Sequence, residues 1–169
     1  MTGFGGEKWV PPFSLPLIRP YIFPMLSSLF DRLFAPAPAP LNAEDARLAL
    51  SALLVRLARS DGEYATVEIA AIDTALARRY GLDEAATKAL RQEAEVFESQ
   101  APDTVRFTRA IKDAVPHEDR ITVIEAAWSV VLADGTRAEE EDALMRLIAG
   151  LLGVNDRDSN LARLRGNAG

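Results

Sequence analysis

An Asp-Gly dipeptide followed by a Glu seven residues after the Asp occurs twice in this chain, as Asp61-Gly62 with Glu68 and as Asp134-Gly135 with Glu141, at a constant offset of 73 residues. Upstream, Leu57-Ala58 falls on Val130-Val131 at the same offset. Downstream, Tyr80-Gly81-Leu82 corresponds to Leu152-Gly153-Val154 with a one-residue slip. Each unit therefore reads as an apolar helix, a tight turn, a second helix with Glu near its start, and a glycine stop. Two such hairpins predict a pseudo-symmetric helical bundle.

The remaining pattern agrees. Apolar residues recur at helical spacing over Ala43–Ser60, Ala65–Tyr80, Asp83–Ser99, Pro102 to Val115, Glu118–Ala133, Ala138–Leu152 and about Asp156–Arg165. The expected core faces carry Leu48, Leu50, Leu53, Leu54 and Leu57; Ile69, Ile72 and Leu76; Ala86, Leu90, Ala94 and Phe97; Val105, Phe107, Ile111 and Val115; Ile121, Ile124, Ala127, Trp128 and Val131; and Leu144, Leu147, Ile148 and Leu151. No segment alternates with period two between turn signals, so no sheet is expected. The fold class is all-α, a bundle of about seven helices with a short amphipathic helix ahead of it.

That short helix spans residues 25–34, where Leu26, Leu29, Phe30, Leu33 and Phe34 form one apolar stripe. Residues 1–24 are rich in Pro and Gly and are expected to be disordered, or an extension from a misassigned start ahead of Met25. Residues 35–41 contain an Ala-Pro run and read as an extended linker. The domain proper covers 42–165. Four prolines and three charged residues interrupt the apolar stretch from Pro11 to Phe34, so it does not read as a membrane span. No secretory pattern opens the chain, and a cytoplasmic location is expected.

Composition removes whole classes of chemistry. There are no cysteines and a single histidine, which excludes disulfides, thiolate metal sites and the usual zinc ligand sets. No nucleophile motif, Walker loop or dinucleotide fingerprint is present, so no catalytic residue is assigned and the chain is read as a non-enzyme. His117 is expected to be exposed at a helix start. The net charge is -6, with about +1 in residues 1–42 and -7 in the rest. An acidic body cannot neutralise a phosphate backbone, which argues against nucleic acid.

The segments ARSDGEYATVEI at Ala58–Ile69 and VLADGTRAEEEDAL at Val131–Leu144, with the RRYGLDEA and LLGVNDRDS helix stops, resemble the TerB-like family, named for tellurite resistance. The resemblance covers roughly residues 43–165 and is nearest to an alphaproteobacterial branch with a short helix and a Pro-Ala segment before the domain. It implies an all-helical fold, a stress-response role, and metal binding by the acids of the two turns. Related domains fused to J-domains imply partner binding.

The chemistry of the turns can be read without the family. Gly after Asp allows a turn at positive φ, and the Asp can serve as an Asx-turn or N-cap residue. Glu68 and Glu141 can lean back toward their helix starts, where two carboxylates sit in a favourable dipole field but repel each other. A divalent cation such as Ca²⁺ or Mg²⁺ would offset that repulsion, with Asp61, Glu68, Asp134 and Glu141 as ligands. The loops are not EF-hands, since Ala65 and Ala138 stand where a ligand is required. The bland alternative is capping, with Glu68 or Glu141 paired to Arg59 or Arg137. Two readings follow: a cation-binding stress-response module, and a co-chaperone-like adaptor whose turns are purely structural. In the second, a protein partner engages the 25–34 helix or the acidic surface, with peripheral membrane contact through that helix as the lesser option.

Overall fold

The computed structural model describes residues 43–101, 104–135 and 138–166. Within them run seven α-helices, which we number α1 (Ala43–Ala58), α2 (Thr66–Tyr80), α3 (Glu84–Gln100), α4 (Thr104–Ala114), α5 (Arg120–Val131), α6 (Glu139–Leu152) and α7 (Asp156–Gly166), with a 3₁₀ turn at His117–Asp119. Among the described residues there is no strand, as the helical periodicity predicts. The expected Met25–Phe34 helix and the Ala-Pro linker lie outside the described residues. No described helix is long and apolar enough to cross a membrane.

Helix α1 sets the architecture. From Leu48 to Ala58 every side chain except Arg56 is buried. A helix that is apolar on all sides must be enclosed by others, and α1 packs against α2, α3, α4, α5 and α6. Arg56, the single charged residue in that stretch, meets a built receptor. Its Nε bonds Glu98 Oε1 at 3.1 Å and its guanidinium donates to the carbonyls of Glu98 (3.3 Å) and Ala101 (2.6 Å). The cation thus sits on the carbonyls at the C-terminal end of α3, where a positive charge is favoured. It also lies 5.0 Å from the centre of the Phe107 ring, which itself meets the Phe97 ring in a tilted pair with centres 5.5 Å apart.

Local sequence signals explain most boundaries. Asp83 caps α3 by accepting from the Ala86 N–H at 2.8 Å. Asn155 and Asp158 form a reciprocal box at the start of α7, with bonds of 2.9 and 2.8 Å. The expected continuous helix from Glu118 is instead a 3₁₀ turn leading into α5. Arg120 holds that junction by donating to the carbonyls of Lys112, Val115 and Leu152, at the ends of α4 and α6. His117 is exposed, as expected.

Three residues expected on core faces lie outside the core. Ala86 is exposed, and Val105 and Leu147 are 49% and 48% exposed. In α6 the buried line runs through Glu141, Met145, Ile148, Ala149 and Leu152, and at about 100° per residue Leu147 falls on the opposite side of the helix.

Helix α7 packs most extensively on α5, and a glycine permits the approach. A Cβ at Gly166 would sit 3.1 Å from the Ser129 backbone N and 3.2 Å from both the Glu125 carbonyl and Trp128 Cβ. Backbone cannot swing aside as a flexible side chain can. Gly166→Ala should therefore lower stability by about 1–2 kcal/mol through overpacking. Gly150→Ala, where a Cβ meets nothing within 4 Å, should instead stabilise α6 by up to about 1 kcal/mol. Chemical denaturation of the two variants checks the pair.

Candidate functional site: the paired acidic turns

The two turns are built by the same local bonds. Ser60 N–H donates to the Leu57 carbonyl and Gly62 N–H to that of Arg59; at the 73-residue offset, Ala133 donates to Val130 and Gly135 to Leu132. Gly62 and Gly135 take φ of +88° and +76°, a region that favours glycine. Asp61 Oδ1 accepts the Glu63 N–H at 2.9 Å, an Asx-turn. Of the two roles expected for Asp61, the structure gives it the turn.

The N-cap positions fall to Ala65 and Ala138, both extended, with ψ of 149° and 144°. Alanine has no side-chain acceptor, so only the reverse half of a capping box forms. Glu68 Oε2 accepts the Ala65 N–H at 2.8 Å and Glu141 Oε2 accepts the Ala138 N–H at 3.2 Å. Without an N-cap hydroxyl, the carboxylates carry this capping role alone.

Those carboxylates are buried. Glu68 is 3% and Glu141 4% exposed, because each begins the core-facing line of its helix, Glu68 with Ile72 and Leu76, Glu141 with Met145 and Leu152. Among the described residues neither pairs with an arginine or lysine. Arg59, one candidate partner, bonds Glu98 at 2.9 Å and lies over the Tyr64 ring at 4.7 Å; Arg137, the other, lies outside the described residues. Burial pushes both glutamate pKa values up, the cap bond opposes this, and neighbouring negative charges add to it. For Glu141 those charges are Asp61, Glu68 and Asp134; for Glu68 they are Asp61, Asp134 and Glu63. The turns thus share one electrostatic neighbourhood although 73 residues separate them. They are not gathered tightly: among the described residues no three acidic or histidine side chains form a group that could hold a metal ion.

The first turn has a brace that sequence reasoning missed. Tyr64 donates to Glu95 at 2.8 Å, and Arg91 bonds both Glu95 and Asp73, tying the turn to α2 and α3. Burial and the bond to Glu95 push the Tyr64 phenol well above its ordinary range. Only the 4-residue step from Arg91 to Glu95 hinted at this contact.

Residues 47–164, from α1 into α7, match the family model described as tellurite resistance protein TerB. The chain belongs to this family. No curated protein and no solved structure matches it. Within the TerB domain, both acidic turns and the buried glutamates fall inside the matched span.

The glutamates make two testable demands. Glu68→Ala should cost about 1 kcal/mol or more, through loss of the cap to Ala65, whereas Glu68→Gln keeps an acceptor there and should cost less. The pH dependence has a definite sign. A carboxyl whose folded pKa is raised binds more protons folded than unfolded across the window between its ordinary and raised values. This contribution to stability therefore falls as pH rises through that window. Melting of the Glu68→Gln/Glu141→Gln double variant should show a shallower loss over the same range; an unchanged slope would remove the two glutamates from the account.

Proposed function

We propose that this TerB domain is a non-enzymatic stress-response module that binds a divalent cation through its duplicated acidic turns, with Asp61, Glu68, Asp134 and Glu141 as the donors. The observation that carries the reading is the burial of two carboxylates, with Glu141 exposed to the negative charges of Glu68, Asp61 and Asp134. Two charges in one apolar setting oppose folding unless something neutralises them. Hard oxygen donors suit Ca²⁺ or Mg²⁺.

The donor set fits such an ion in chemistry and incompletely in placement. One oxygen of each glutamate is committed to its cap, and the exposed aspartates stand on separate turns. A cation would draw Asp61 and Asp134 together over the glutamate pair, which implies weak affinity. The pseudo-twofold reading of the two hairpins belongs with this proposal, since one ion would then take equivalent ligands from each half.

Titration with CaCl₂ and MgCl₂, followed through the amide resonances of Gly62 and Gly135, tests it. Both resonances should move together and saturate, and melting temperature should rise with cation as mass action requires. The Glu68→Gln/Glu141→Gln variant should lose most of that rise. Unmoved amides at millimolar cation would overturn the cation reading and leave the turns as capping devices of an adaptor.

A further inference from the structure

A cleft of about 270 Å³ opens between α5, α6 and α7, lined by side chains that the acidic turns do not use. Trp128, 6% exposed, forms its inner wall. The indole Nε1 donates to Ser159 Oγ at 3.3 Å. That bond satisfies the polar edge of the ring and leaves the Ser159 proton available to a further acceptor. Arg163 reaches in from α7 with its guanidinium 6.0 Å from the centre of the Trp128 ring. Its Nε is buried and meets no acceptor among the described residues, a costly state for a charged donor. Arg146 lines the cleft from α6.

These groups describe a ligand. A buried guanidinium N–H without an acceptor, a second arginine and a serine hydroxyl together call for an anionic oxygen pair, and arginine matches carboxylate geometry. The indole calls for an apolar, preferably flat body beside it. Asp142 and Asp156 also line the cleft, and their charges offset those of Arg146 and Arg163. A polyanion would be repelled by these aspartates, and a cation would leave the arginines unanswered. The volume corresponds to roughly nine water molecules, at about 30 Å³ each, which suits a molecule of about ten heavy atoms.

We propose that the cleft is a binding site for a small organic monocarboxylate, its carboxylate held by Arg163 and Arg146 and its apolar body laid against Trp128. The site is independent of any cation at the turns and stands or falls separately from it.

Sodium phenylacetate is a suitable probe. In the full chain with Trp9→Phe, Trp128 is the single tryptophan and its fluorescence reports on the cleft. Phenylacetate should give a saturable change with a dissociation constant of about 0.1–1 mM, as a ligand of this size permits. Arg163→Gln should weaken binding at least about tenfold, and Asp142→Asn should tighten it by up to about fivefold. Phenylethylammonium and inorganic phosphate should give no saturable change. No saturation by about 10 mM phenylacetate, equal response to either control compound, or full affinity in an Arg163→Gln chain of unchanged circular dichroism would overturn the site. If Arg163→Gln does not fold, the Asp142→Asn chain decides, since unchanged or weaker binding there contradicts an anion-binding cleft.

Discussion

The enclosure of α1 is the constraint on which the rest of this structure depends. Ten of the eleven residues from Leu48 to Ala58 are buried, so neighbouring helices must cover the segment on every side. The one exception, Arg56, has a receptor among the carbonyls ending α3. A helix so apolar would aggregate alone, and its neighbours supply the polar outer faces that it lacks. The Asp-Gly turn after α1 then has to reverse the chain at the edge of the core, which draws the start of α2 inward.

That inward pull explains the buried glutamates. A residue in the first turn of a helix sits close to the preceding chain reversal, and Glu68 and Glu141 begin the lines that continue into the core. Their carboxylates cap the amides left by Ala65 and Ala138. The same side chain therefore closes a helix end and places a charge in an apolar setting. Stability and sensitivity to neutralisation share one atom group, so a change that alters charge while keeping shape separates the two roles.

Much of this was legible from sequence. Helix number, the glycine stops at Gly81 and Gly153, and the turns at Gly62 and Gly135 followed from punctuation and period, because these signals are local. Burial of Phe107 and Trp128 followed from their place on apolar stripes. Three features were not legible. The face of α6 that is covered, which leaves Leu147 outside, depends on how α4 lies against it. The pairing of Arg59 with Glu98 rather than Glu68 depends on how α1 lies against α3. The cleft beside Trp128 arises from three helices that meet only through tertiary packing. In each case the deciding partner is distant along the chain.

The brace around Tyr64 has a further consequence for how the molecule breathes. The Tyr64–Glu95–Arg91–Asp73 chain, with Arg59 on Glu98, ties the first turn to two helices. At the position equivalent to Arg59 the second turn has Leu132, which offers no such tie. Helix α7, farther along, is held mainly against α5 and barely touches α6. Amide exchange should then differ between the two turns, with the Gly62 amide exchanging more slowly than that of Gly135. The two turns thus share a backbone pattern and differ in the side chains that fasten it to the core.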